Sequence, residues 1–133
     1  MGDKYPKKHE DPGTPIITCH IGGTEIRNAL CDLGAGVSVM PLSLYEKLKL
    51  GDYSPTFITL QMVDKTRKQP VGMIKDVLVR IDEHVMPIPT DFIILDIPVD
   101  DKLSIILGKP FLSTVGASVD CVKGKIIFSV YDK

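Results

Sequence analysis

Apolar and polar residues alternate through much of this chain, and the apolar runs between are short. A period of two marks half-buried strands, and short unbroken apolar runs mark strands buried on both faces. Residues 15–21 and 24–31 are two such β-type runs, separated by Gly22-Gly23, whose freedom at positive φ suits a hairpin turn. Residues 37–40 form a short apolar run, and Pro41 follows as the opening of a helix to about residue 48. Leu44 and Leu48 share a face of that helix, Lys47 and Lys49 suit its C-terminal end, and Gly51 offers a stop. Residues 57–63 alternate, with Ile58, Leu60 and Met62 on one face. After the polar stretch 64–68 the chain resumes over 69–81, with Val77, Val79 and Ile81 on one face. The pattern predicts two long strands around a polar tip, a projecting hairpin.

A turn at 82–84 leads to a strand over 88–97, with Pro89 near its start, where a strand tolerates proline. A polar loop at 98–102 precedes the unbroken apolar run 103–107. Pro110 opens a second short helix closed by Gly116, and residues 117–122 and 125–131 are strands joined at Lys123-Gly124. Many short strands, regular turns and two short helices predict an all-β domain built as a closed or semi-closed barrel. Residues 1–14, rich in charge and proline, read as a flexible lead or linker, and residues 15–131 as the domain.

Composition narrows the function. With 133 residues, 44% hydrophobic and 25% charged, the chain suits one globular domain with a real core. A formal net charge of -1 gives no basic field to recruit nucleic acid, and aromatic content of 6% without tryptophan leaves little for base stacking. No apolar run has the length of a membrane span, and residues 1–15 lack the apolar centre of a signal peptide. Three cysteines, Cys19, Cys31 and Cys121, cannot all pair, and no CxxC occurs. Free buried thiols in a reducing, intracellular and cytoplasmic setting follow as the expectation.

The candidate chemistry gathers where the second strand ends. A hydrophobic approach delivers Asp32, Leu33-Gly34-Ala35-Gly36 bends the chain, and an apolar run leaves. A carboxylate on a tight loop between two buried segments either caps nearby backbone N–H groups or is placed for catalysis. Cys31 could act as a nucleophile only beside a histidine, and Ser38 and Ser43 lack the strand–turn–helix context of a nucleophilic serine. His9, His20 and His84 have no metal-type spacing, so no metal is expected.

Asp32-Leu33-Gly34-Ala35 resembles the Asp-Thr/Ser-Gly-Ala signature of retroviral-type aspartic proteases. Far downstream, Ser104-Ile105-Ile106-Leu107-Gly108-Lys109-Pro110-Phe111-Leu112 resembles that family's second element, apolar residues and a glycine leading into a short helix. The wording of both elements, with Val39-Met40-Pro41-Leu42-Ser43 between them, is most similar to the protease region of plant gypsy-type retrotransposon polyproteins. The resemblance implies a retropepsin-like barrel with a peptide-covering flap hairpin, with Val63 and Asp64 on the flap and Val71 and Gly72 on its returning arm. Asp32 would be the catalytic carboxylate, Leu33, Gly34 and Ala35 its loop, and Ile106, Leu107 and Gly108 the second element. Because the second element carries Leu107-Gly108 and no aspartate, an active enzyme needs a homodimer with one Asp32 from each subunit. The resemblance further implies an aspartic endopeptidase with a polypeptide substrate, itself as partner, and no cofactor, nucleic acid or membrane. Leu33 departs from the family's Thr or Ser, whose hydroxyl ties the two loops of the dimer together. The alternative is a catalytically silent module of the same fold, used for dimerisation or peptide binding.

Overall fold

The computed structural model describes residues 15–32, 34–61, 65, 67–83, 85–97 and 105–115 in full, and 117–120 and 125–128 as backbone. The expected lead, residues 1–14, lies outside the described residues, as do Cys121 and the chain beyond 128. The elements run β1 (Ile16–Ile21), β2 (Thr24–Cys31), β3 (Ser38–Pro41), α1 (Leu42–Leu48), β4 (Leu60–Gln61) and β5 (Arg67–Lys68). They continue as β6 (Gly72–Arg80), β7 (Ile88–Leu95), β8 (Ile105–Leu107), α2 (Lys109–Thr114), β9 (Ala117–Asp120) and β10 (Lys125–Phe128). Six strands close a barrel in the order β1-β2-β8-β3-β7-β6, and β4-β5 and β9-β10 are two-stranded sheets outside it. The expected all-β barrel with two short helices is therefore present, and it is closed.

Local sequence explains most turns. Gly22 and Gly23 take φ of 56° and 84°, so the first hairpin uses the left-handed backbone that glycine permits. In that hairpin Ile17 pairs with Ala29 but Cys19 pairs with Ile26, so β2 carries one extra residue. The bulge moves the inward side chains from the even position Ile26 to the odd positions Ala29 and Cys31. This parity change delivers Cys31 into the core and sends the chain out of the barrel at Asp32.

The strands differ in how many faces they bury. On β1, Cys19 and Ile21 face the core while Ile16 and Thr18 are exposed. On β3 all four residues are buried, and on β7 so are Phe92, Ile93, Ile94 and Leu95. Met40, Phe92, Ile94, Ile105 and Leu107 join the barrel core, with Phe111 and Leu112 from α2. Val39, Ile93 and Leu95 belong to a second apolar cluster on the opposite face, with Val37, Ile58, Leu60, Met73 and Ile106 half-buried against it. Continuous apolar runs appear in the sequence where the sheet is covered on both sides.

Three expectations need correction. Pro41 ends β3 and stands at the N-cap of α1 with extended backbone, so the helix begins at Leu42. Lys49, at φ 53°, and not Gly51, turns the chain at the helix C-cap, although Gly51 also has positive φ. Leu44 and Leu48 do share the core-facing side. The projecting hairpin is far shorter than the two long strands expected: its outgoing arm is β4 and its first returning arm β5, two residues each. Phe57 is fully exposed, and residues 53–54 run beside β6 through paired backbone hydrogen bonds between Ser54 and Met73 of 2.8 Å each. Most of residues 69–81 instead forms β6, which pairs with β7 and with β1 in the barrel wall. Among the described residues no helix is long and apolar enough to cross a membrane.

Candidate active site

The Asp32 loop connects β2 to β3, and β8 lies between these two strands, parallel to β2 and antiparallel to β3. The loop must therefore arch over the end of β8, where Leu107-Gly108 leads into α2. The Asp32 N–H donates to the Leu107 carbonyl at 3.0 Å, continuing the β2–β8 ladder. The Ala35 N–H donates to the Asp32 carbonyl at 3.1 Å and the Gly34 N–H to Asp32 Oδ1 at 2.9 Å. Asp32 thus forms a tight turn and an Asx turn on itself, which orients a half-buried carboxylate. A capping aspartate makes the same two bonds, so these alone do not separate the structural from the catalytic role.

What exceeds a cap is the clasp from the other side. The Lys109 N–H donates to the Ala35 carbonyl at 2.8 Å. The Gly108 N–H donates to Ser38 Oγ at 3.0 Å, a buried bond across 70 residues of sequence. Gly108 is pressed so close that a Cβ there would lie 2.5 Å from the Val37 carbonyl oxygen and 2.8 Å from that of Ala35. Its φ of -90° is open to any residue, so glycine is required here for space and not for backbone angle. The two elements that the sequence analysis paired, Asp32-Gly34-Ala35 and Ile106-Leu107-Gly108, are thus brought together backbone to backbone.

The remaining candidates sort clearly. Leu33, Val63 and Asp64 lie outside the described residues. Val71 and Gly72 sit at the barrel end of the hairpin: the Val71 N–H donates to the Ile94 carbonyl at 2.8 Å, and Gly72 pairs with Ile94. A Cβ on Gly72 would lie 2.4 Å from the Tyr53 ring and 2.6 Å from the Ser54 carbonyl oxygen. Cys31 is 1% exposed, and burial, with a smaller contribution from Cys19, pushes its thiol up to about 12. That is the reverse of an activated thiolate. Cys19 is likewise pushed up to about 12 by burial. Among the described residues, no three His, Cys, Asp or Glu side chains gather closely enough to hold a metal ion. Sequence reasoning missed Ser38, passed over as a nucleophile, although a lone hydroxyl in an apolar run requires a partner when buried.

No family model and no curated protein matches the sequence. Among solved structures, the crystal structure of the retroviral protease-like domain of Ddi1 from Leishmania major matches at a TM-score of 0.61. Sequence identity is 20%, and the match covers 87% of each chain. The fold is retropepsin-like. In this retropepsin-like barrel, the Asp32 turn and the Leu107-Gly108 junction form a single clasped unit at one barrel end. Val37 and Ile106, half-buried in the second apolar cluster, give that unit an apolar flank.

Proposed function

We propose that the chain is an aspartic endopeptidase that works as a homodimer, with one Asp32 carboxylate from each subunit. The observation that carries this reading is a half-buried carboxylate on a loop clasped from behind by the β8–α2 junction in a retropepsin-like barrel. A carboxylate so fixed can serve a water molecule on its open side. Peptide hydrolysis then needs a second carboxylate, one to take the proton of the attacking water and the other, protonated, to polarise the carbonyl. Two carboxylates in contact share one proton, a behaviour for which aspartic proteases are the standard illustration. A two-fold axis supplies the second group from the same short chain.

An extended peptide is the substrate. The half-buried apolar side chains Val37, Met73 and Ile106 offer its side chains an apolar wall, and the stretch near residues 63–72 acts as the flap. The natural substrate is a parent polyprotein of the plant gypsy type, cut at linkers between domains in an intracellular setting, without metal or organic cofactor. The hydroxyl that Leu33 lacks favours the second reading, a silent module for dimerisation or peptide binding.

Cleavage of a diverse peptide mixture from about pH 4 to 7, a range that brackets a shared-proton dyad, tests the proposal. Wild type and Asp32→Asn are compared at high protein concentration. Cleavage by wild type, absent in the variant and rising more steeply than linearly with enzyme concentration, is expected. A folded, dimeric wild type that cuts nothing assigns the chain to the silent module. Equal cleavage by both proteins removes Asp32 from the chemistry.

A further inference from the structure

We propose that Ser38 is a positioning residue for the Asp32 site, acting through Gly108. This inference rests on the endopeptidase reading for its kinetic consequence, but its structural half stands apart from catalysis. Ser38 is 3% exposed and, with Thr90, one of two buried polar residues among the described core positions. Thr90 satisfies itself locally, donating to the Ile88 carbonyl at 2.9 Å in its own strand. The Ser38 hydroxyl instead accepts the Gly108 N–H, joining the start of β3 to the end of β8.

That bond sits at the centre of the clasp. Gly108 is the N-cap of α2, so its N–H points away from the helix and would otherwise be buried without a partner. On the residue before it, the Leu107 carbonyl receives the Asp32 N–H; on the residue after it, the Lys109 N–H reaches the Ala35 carbonyl. Both ends of the Asp32 turn are therefore anchored to the residues flanking Gly108. A hydroxyl that pins Gly108 fixes both anchors together. Ala in place of Ser38 leaves a buried N–H unmatched, which the chain relieves by admitting water or by moving the β8–α2 junction away from β3. Either response loosens the anchors of Asp32.

Three substitutions separate hydroxyl from shape. Ser38→Ala deletes the acceptor. Ser38→Thr and Ser38→Val add similar bulk, but only the former keeps the oxygen. Amide hydrogen exchange, read by NMR, is the first measurement. In Ser38→Ala and Ser38→Val, exchange at Asp32 and Lys109 is expected to quicken by about tenfold or more relative to Ser38→Thr, with Ile21 and Val79 on the far wall unchanged. Steady-state kinetics is the second. The same two variants are expected to lose about ten- to hundredfold in kcat with KM little altered, because a misplacement near 1 Å costs on that order. Ser38→Thr is expected to retain most of kcat. Equal exchange at Asp32 and Lys109 in Ser38→Val and Ser38→Thr overturns the proposal, as does a uniform rise at every amide. Ser38 variants that exchange as expected, beside a wild type that cleaves nothing, refute the endopeptidase reading while leaving the clasp intact.

Discussion

Gly108→Ala tests the architecture of the site more directly than any change to the carboxylate itself. The substitution adds one methyl group at a backbone angle that alanine adopts freely, so all of its effect is steric. The added Cβ would stand 2.5 Å from the Val37 carbonyl oxygen and 2.8 Å from both the Val37 carbonyl carbon and the Ala35 carbonyl oxygen. Comfortable carbon–oxygen contacts begin at about 3.3 Å, so the β8–α2 junction and the Asp32 loop must separate by roughly 0.8 Å. No flexible side-chain end is available to yield, because the obstructing atoms are backbone. Overpacking of this kind costs about 1–3 kcal/mol. The bonds from Lys109 to Ala35 at 2.8 Å, Gly108 to Ser38 at 3.0 Å and Asp32 to Leu107 at 3.0 Å stretch with it. Losing about a third of each of these bonds, worth about 1 kcal/mol apiece when intact, adds about 1 kcal/mol and brings the expected destabilisation to about 2–4 kcal/mol. For a chain of 133 residues that lowers Tm by about 10 °C.

Urea unfolding at fixed protein concentration, followed by circular dichroism or tyrosine fluorescence in this tryptophan-free chain, measures the effect. Gly36→Ala is the control: it lies on the same loop, has ordinary φ, and an added Cβ meets nothing within 4 Å. It is expected to stay within about 0.5 kcal/mol of wild type. A Gly108→Ala protein equally close to wild type refutes the reasoning, since the two carbonyls would then have yielded without cost.

Other consequences are open to similar checks. Between the ordinary thiol value of 9.0 and about 12, the unfolded chain releases protons that buried Cys19 and Cys31 retain. Stability is expected to be fully present below that window and to fall on rising through it, by up to about 1.4 kcal/mol per pH unit per thiol. Urea midpoints from about pH 8 to 10.5 should fall less steeply in Cys19→Ala and Cys31→Ala; an unchanged slope contradicts the expectation. Asp76, at φ 58° in the β6 bulge, donates its N–H to Asp91 Oδ1 at 2.9 Å. Asp91→Ala is expected to cost about 1 kcal/mol and Asp91→Asn less, and equal urea midpoints for both would remove the carboxyl-side acceptor from the account. Leu33→Thr, which restores the loop hydroxyl of the family, is expected to tighten a homodimer; sedimentation showing an unchanged or weaker dissociation constant counts against it.

The barrel was legible because its strands carry two different signatures. Alternation on β1 and on the later part of β6 marks strands with one face toward the core, and the apolar stretches 39–40 of β3, 92–95 of β7 and 105–107 of β8 mark strands covered on both faces. The hairpin was less legible. Residues 57–61 alternate as a strand would, but only Leu60 and Gln61 are strand; Ile58 reaches the second cluster from irregular backbone, with its N–H taken by the Thr56 hydroxyl at 3.2 Å. Periodicity reports which side chains are apolar and not whether a ladder partner exists. Gly72 carries the same lesson: its need for glycine comes from Tyr53 and Ser54, nearly twenty residues earlier in the chain.

The site was legible as two motifs and illegible as one object. Asp32-Leu33-Gly34-Ala35 and Ile106-Leu107-Gly108 could be paired from resemblance, yet nothing in either stretch says which atoms meet. Their contact is made almost wholly of backbone: Asp32 with Leu107, Ala35 with Lys109, and Gly108 against the carbonyls of Val37 and Ala35. Backbone contacts leave little mark on residue identity except where a side chain must be absent or must supply one missing acceptor. Those two exceptions are Gly108 and Ser38, and they are the positions at which a single substitution should separate a correctly folded barrel from a correctly aimed carboxylate. A variant with an intact barrel and a loosened Asp32 turn would place the precision of the site in the clasp and its stability in the core, two properties that this chain writes into different residues.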